Sequence, residues 1–390
     1  HLAGRLLVEL SGGEKQKVAV AAMMATKPQV LIFDEPTSNL DPTATADIFE
    51  VIARIRDKAD VTVIVIEHKL DYLRPFAPRM VVMDSGRIAY DGPFEGAPRP
   101  PYLSSRRSPP MFVAGDGSGA MVCIDDLHAG YDGTPVLRGV SLEFHPGEFV
   151  AVMGDNGSGK STFVQTLLGL LEPQRGRVEV LGHDTRQAPV SRLARQVGLI
   201  FQNPDHQLFA DSVWQEAVLA PHNFGLLDGA TRQRVEEYLQ RCGLGQRLDD
   251  HPHRLSYGEK RRLNLVSILS YNPRLILLDE VLIGQDPANA AFLLELVRKR
   301  VQAGSTAVMV NHAPRVSQAY ANRLLFLDGG RIVVDAPPDE AFGRLAEMGR
   351  GAYLPHGRAA GKAAEAPVPA AGQGRQPDPA APRLVPGGWP

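Results

Sequence analysis

The chain has 390 residues, 44% of them apolar, with 42 basic against 44 acidic side chains; that is enough apolar mass for two or three domains with sizeable cores, and no charge excess recommends a polyanionic partner such as nucleic acid. Only Cys123 and Cys242 occur, in unrelated contexts, so neither a disulfide framework nor a zinc cluster is available and a reducing compartment is the simpler expectation. The longest apolar runs, such as Val61 to Ile66, fall far short of the ~20 residues that span a bilayer, and no signal sequence is visible; the chain reads as cytosolic, with any membrane role supplied by a partner.

In chain order, the first feature is Leu10-Ser11-Gly12-Gly13-Glu14, followed by Lys15, Gln16, Lys17, Val18 and Ala19. Its S-x-x-E spacing is that of a capping box, and helix formers follow, so a helix is expected to begin here. The positive end of that helix can take a phosphate where glycines allow close approach; taken alone, it is also simply a cap. Next come two apolar runs, Val30 to Phe33 before Asp34-Glu35 and Val61 to Ile66 before Glu67-His68. Prolines 98, 100, 101, 109 and 110 and the stretch Gly115-Asp116-Gly117-Ser118-Gly119 then interrupt the chain, which predicts an interdomain linker. We therefore divide the sequence into a first unit over 1–96, a linker over 97–120, a second unit over 121–349 and a tail over 350–390. The tail is dominated by Ala, Pro and Gly and is expected to be disordered.

The second unit opens its chemistry with Val150 to Met153, then Gly154-Asp155-Asn156-Gly157-Ser158-Gly159-Lys160-Ser161, then Thr162 and a helix-like segment running to Leu168. This is G-x-x-x-x-G-K-[ST] between a strand and a helix, the context that the phosphate loop requires. Its glycines let backbone N–H groups face phosphates, Lys160 supplies positive charge and Ser161 offers a hydroxyl to magnesium. Further on, Leu275 to Leu278 precede Asp279-Glu280, and Ala307 to Val310 lead to His312. Continuous apolar runs of this kind predict strands buried on both faces of a parallel sheet, an α/β fold whose ligands gather at the carboxyl ends of the strands.

Much of this occurs twice, about 245 positions apart: the Leu10 to Glu14 motif returns as Leu255-Ser256-Tyr257-Gly258-Glu259, Asp34-Glu35 as Asp279-Glu280, and His68 as His312. A carboxylate pair at a strand end could be a solvated turn, and a lone histidine there is more often structural; recurrence at matching offsets favours chemistry in both cases. The phosphate loop alone has no partner, since the same offset would place it about 90 residues ahead of His1. The expectation is a duplicated phosphate-binding protein whose first copy lacks its front.

Taken together these residues resemble the ATP-binding cassette (ABC) ATPases: Walker A at Gly154 to Ser161, Q-loop at Gln202, signatures at Ser11 and Ser256, and Walker B at Asp34 and Asp279. The resemblance implies P-loop NTPase domains with a mostly parallel core sheet and an α-helical subdomain. It also implies ATP and Mg2+ as cofactors, metal ligation by Ser161, Gln202 and Asp279, catalytic roles for Glu280, His312, Glu35 and His68, and Tyr131 stacking on adenine; a turn tyrosine is otherwise usually a packing residue. In the family, Walker A of one half faces the signature of the other, so Lys160 would face Ser11, Gly12 and Gly13. The opposite site departs from the pattern, with Tyr257 for the first glycine and Ile283-Gly284-Gln285-Asp286 where the first unit has Ser38-Asn39-Leu40-Asp41.

The segment Phe201 to Phe209 is similar to the Q-loop region of energy-coupling factor (ECF) importers of vitamins and metal ions. This implies a peripheral subunit on the cytoplasmic face of the membrane, working with integral membrane partners, and a docking surface over Asn203 to Trp214 with Phe209 and Trp214 exposed. Two other readings are a soluble family member acting on ribosomes or DNA, against which the short Pro/Gly-rich linker stands, and a scaffold without turnover, against which both Walker B glutamates stand.

Overall fold

The computed structural model describes residues 6, 10–38, 40–58, 60–84, 86–97, 119–283 and 285–355. Most of the expected linker and nearly all of the expected tail, with Asn39 and Gly284, lie outside the described residues.

Each apolar run that ends in a motif forms a strand. The first unit contributes β1 (Val30–Asp34), β2 (Thr62–Ile66), β3 (Arg79–Asp84) and β4 (Arg87–Pro93). The second contributes β5 (Val122–Tyr131), β6 (Thr134–Phe144), β7 (Phe149–Met153), β8 (Arg175–Val180), β9 (His183–Asp184), β10 (Val197–Ile200), β11 (Leu275–Asp279), β12 (Thr306–Val310), β13 (Arg323–Asp328) and β14 (Arg331–Ala336). Its main sheet runs β10-β11-β12-β7-β13-β14, parallel throughout except for the final antiparallel hairpin. An antiparallel sheet in the order β6-β5-β8-β9 accompanies it.

Every residue of β7, β11 and β12 is buried, as expected for strands covered on both faces. One face packs on Phe163, Val164 and Leu167 of the helix Lys160–Leu167 and on the antiparallel sheet. The other meets the helices Val213–Asn223, Tyr257–Leu269 and Pro287–Gln302. Strand β7 lies in the middle of the sheet, so the loop that follows it opens at the carboxyl edge between β12 and β13, where parallel sheets place their ligands.

The first unit departs from the expectation. β1 and β2 form a parallel pair and β3 and β4 an antiparallel one, and among the described residues no strand joins β2 to β3 as β7 joins β12 to β13. One face of β1–β2 is covered, by Val20, Ile48, Phe49 and Ile52. The other is bare: Val30, Ile32, Ile64 and Ile66 are 51%, 60%, 46% and 51% exposed. Their counterparts Leu275, Leu277, Val308 and Val310 are all at 0%. The sequence pattern of two-faced burial is thus present in both units, but among the described residues an element covers the second face in the second unit and not in the first.

Both capping boxes form. Ser11 N–H donates to Glu14 Oε2 at 2.9 Å and Glu14 N–H to Ser11 Oγ at 3.3 Å, opening the helix Gly12–Ala25. Ser256 and Glu259 repeat the arrangement at 2.8 and 3.3 Å.

Candidate active site

The loop after β7 curls tightly over the sheet edge. Gly154 sits at φ +150°, and a Cβ there would lie 2.2 Å from the Leu327 carbonyl oxygen, so only glycine fits. Gly159, at φ +107°, turns the chain into the helix that begins at Lys160. The Lys160 ammonium lies buried inside the curl and donates to the Gly154 and Asp155 carbonyls, each at 2.9 Å. Burial pushes its pKa down, so the site gains by any anion that keeps it charged.

Buried oxygens around this loop lack protein partners: Ser158 Oγ and Asp279 Oδ1 accept or donate no hydrogen bond. Buried polar atoms are normally paired, and orphans beside a glycine loop mark the place of a polar ligand. Asp279 ends β11 and takes a hydrogen bond from Ser161; burial, and then the neighbouring Glu280 charge, raise its pKa. A triphosphate suits the loop, and the adjacent Ser161 hydroxyl and Asp279 carboxylate are the hard oxygen donors that magnesium takes.

Glu280 is the next residue, and its backbone is left-handed at φ +51°, as is that of its counterpart Glu35 at +42°. Such a conformation is costly outside glycine and is kept where it aims a side chain. His312 Nε2 lies 2.9 Å from Glu280 Oε1, and the Gln202 amide donates to Oε2 at 2.7 Å. Burial acts to raise the Glu280 pKa, but the His312 hydrogen bond and the nearby Lys160 and Lys69 charges outweigh it and hold the carboxyl below its ordinary value. In the first unit His68 Nε2 lies 3.2 Å from Glu35 Oε1, in a more open setting. Both pairs line one cavity of about 210 Å³ between the units.

The units also meet at the phosphate loop itself. Asn156 N–H donates to Asp41 Oδ2 at 3.0 Å, while Asp41 Oδ1 caps the helix Pro42–Lys58 through Ala44 N–H at 2.8 Å. Ser11, Gly12 and Gly13 stand at the exposed start of their helix, where Ser11 is engaged in its capping box. Asp41 is thus a first-unit residue in hydrogen-bond contact with the loop, a role that its place in the repeated motif did not suggest.

The Tyr131 ring is exposed, with its hydroxyl on Gln165 Oε1 at 2.8 Å, so it is not the packing residue that a turn tyrosine usually is. Phe209 is 76% exposed as expected, but Trp214 is half-buried against the helical core, correcting the expectation that both are displayed. Order also continues past residue 350: Gly351–Tyr353 forms a short turn that buries Tyr353, whose hydroxyl donates to Asp155 Oδ1 at 2.6 Å while Arg350 donates to Oδ2 at 2.9 Å. The aromatic-aliphatic pair Tyr353-Leu354 was the available signal, set in an otherwise Ala/Pro/Gly-rich stretch.

The ABC transporter family model matches residues 1–38 and 137–282. A provisionally named ABC transporter ATP-binding protein of Methanosarcina acetivorans is 31% identical over 91% of this chain and 67% of its own length. The chain belongs to the ABC transporter ATP-binding family. Another ABC relative, provisionally named the HMP/thiamine import ATP-binding protein YkoD of Bacillus subtilis, is 30% identical over 88% of this chain and 68% of its own length. Among solved ABC structures, cbiO1 of Clostridium perfringens, part of the ABC transporter complex cbiONQ, superposes with a TM-score of 0.53 at 29% identity, over 60% of this chain and 94% of that one. The chain spans about two thirds of the length of the relatives that it matches. Membership accounts for the P-loop NTPase fold and for ATP as the ligand of the loop.

Proposed function

We propose that this chain is the ATP-hydrolysing, energy-coupling part of an ECF-type importer for a vitamin or metal ion. The observation that carries this reading is Glu280, held between His312 and Gln202 beside the orphaned oxygens of Ser158 and Asp279 and the buried Lys160. In this reading the N–H groups of Gly154, Asp155, Asn156, Gly157, Ser158 and Gly159 cradle the ATP phosphates, with Lys160, Ser161 and Thr162 completing the contact. Tyr131 lies against the adenine. Ser161, Asp279 and Gln202 hold Mg2+, which when bound neutralises phosphate charge.

Glu280 then orients and polarises the attacking water, and His312 keeps the carboxylate in place. Ser11, Gly12 and Gly13 close on the nucleotide from the first unit, bringing the positive end of a helix to the phosphates. The opposite site, with Glu35 and His68, would use the divergent Tyr257 signature and the divergent turn at Ile283 to Asp286, so the two sites are proposed to be functionally unequal. The Q-loop segment, the import role in YkoD's name and the place of cbiO1 in the cbiONQ transporter complex support the importer assignment, with membrane subunits as partners and the cytoplasmic face as the location.

The exposed Phe209 tests the coupling half of this proposal. We expect Phe209→Glu to leave ATP hydrolysis by the chain alone within about twofold of wild type, since the ring makes no core contact, yet to abolish co-purification with membrane subunits and transport by the assembly. Normal transport by this variant would remove the surface from consideration.

A further inference from the structure

The first unit carries a polar cluster of which the second unit keeps one backbone contact. Thr37, which lies between Glu35 and Asp41, is fully buried. Its hydroxyl donates to Glu67 Oε2 at 2.6 Å and its carbonyl accepts from Lys69 Nζ at 2.8 Å. Lys69 also donates to Thr45 Oγ1 at 3.3 Å, on the helix that Asp41 caps. Glu67 closes the ring by accepting the His68 and Lys69 backbone N–H groups at 2.9 and 3.2 Å. The corresponding residues of the second unit are Leu282, Asn311 and Ala313. Asn311 keeps the backbone contact, accepting Ala313 N–H at 2.8 Å, but turns its amide to Ser317.

From this asymmetry we infer that Lys69, with Glu67 and Thr37, is a latch that fixes the first unit's turn and thereby holds Asp41 on the Asn156 N–H of the phosphate loop, making Lys69 a positioning residue for the site built around Lys160.

The physical case rests on cost and direction. A lysine drawn into protein surroundings gives up hydration, and burial indeed pushes its pKa down; Glu67, Glu280, Asp41 and Glu35 all act to keep it charged. That cost is offset only where the cation is placed among acceptors, and here the acceptors are the turn itself. The turn after β1 is shaped by backbone bonds from Ser38 N–H to the Glu35 carbonyl at 3.1 Å and from Leu40 N–H to the Thr37 carbonyl at 3.2 Å, and is tied to the end of β2 by the side chains of Glu67 and Lys69. Its far end is Asp41, and a displacement of about 1 Å at such a residue is enough to change turnover by up to about two orders of magnitude. In the second unit Leu282 and Ala313, which both line the cavity between the units, have no side-chain donor or acceptor with which to form the Thr37 and Lys69 bonds. Only the effect on turnover rests on the proposed ATPase reading; the effect on the loop does not.

The test therefore reads the loop first. In the nucleotide-free chain, amide exchange at Asn156 should accelerate about tenfold or more in Lys69→Ala, as it should in Asp41→Ala, and stay near the wild-type rate in Lys69→Arg, which keeps the charge and the donors. Exchange at β11 reports whether the second unit remains folded. Steady-state ATP hydrolysis by the same variants should show a lower kcat with a nearly unchanged KM for Lys69→Ala and rescue by Lys69→Arg. Unchanged Asn156 exchange in Lys69→Ala overturns the latch whatever the activity. If Lys69→Ala unfolds the first unit, Lys69→Arg decides: failure of the arginine to restore Asn156 protection also overturns it. A wild-type chain that binds and hydrolyses no ATP would instead reject the ATPase reading and leave the exchange result standing.

Discussion

In Glu280→Gln, ATP binding should be retained while hydrolysis falls by about 10²–10⁴-fold, the range over which a positioned general base contributes to rate. The substitution is nearly isosteric and keeps an acceptor for His312, but removes one of the two carboxyl oxygens that the His312 and Gln202 contacts orient. Lys160→Ala should fail at the earlier step. It deletes the buried cation inside the phosphate loop, and the loss of a charge-assisted contact of about 1.5–3 kcal/mol corresponds to roughly 10- to 100-fold weaker binding. Equilibrium titration with a fluorescent ATP analogue and phosphate release on the same samples separate the two effects. Equal nucleotide affinity in wild type and Lys160→Ala would reject the loop as the binding site; undiminished hydrolysis in Glu280→Gln would reject the base.

The largest effect on stability is expected in the first unit. Native-state hydrogen exchange should give β1 and β2 opening free energies at least ~2 kcal/mol below those of β11 and β12, because burying a single aliphatic side chain is worth about 1.5–3 kcal/mol and four of them stand half-exposed here. Among the described residues β2 also presents an unpaired edge, the feature that promotes strand addition and aggregation. Uniform protection of the four strands would show that the bare face of the first pair is covered in solution.

The exposed face also shows how far the sequence could be read. The apolar runs at Val30 and Val61 have the composition of strands buried on both faces, and they form strands; what composition does not carry is whether a covering element exists, which in the second unit is the helix Lys160–Leu167 and the antiparallel sheet, both far away in sequence. The phosphate loop was legible from its local spacing alone, and both capping boxes from a local spacing that also recurred; Glu35, His68, Glu280 and His312 were singled out by recurrence, but their contacts were not in the sequence. Asp41 and Tyr353 were not legible as partners of the loop, since their contacts to Asn156 and Asp155 span separations of 115 and 198 residues. Trp214 was misread for the related reason that an aromatic near a loop gives no indication of which helix it will meet.

The pairing of Lys160 with the first unit's signature is the central claim, and Ser11→Arg compared with Ser256→Arg tests it most directly. Both substitutions remove the same capping box, at a helix cost of about 1 kcal/mol each, so any stability effect of lost capping is common to the pair. They differ in which unit then carries bulk and charge at its signature. The sequence contains a single phosphate loop, so single-turnover hydrolysis reports on the site of Lys160. We expect Ser11→Arg to slow it about tenfold or more and Ser256→Arg to leave it within about twofold of wild type; the reverse order, or equal slowing by both, would contradict the cross-unit site.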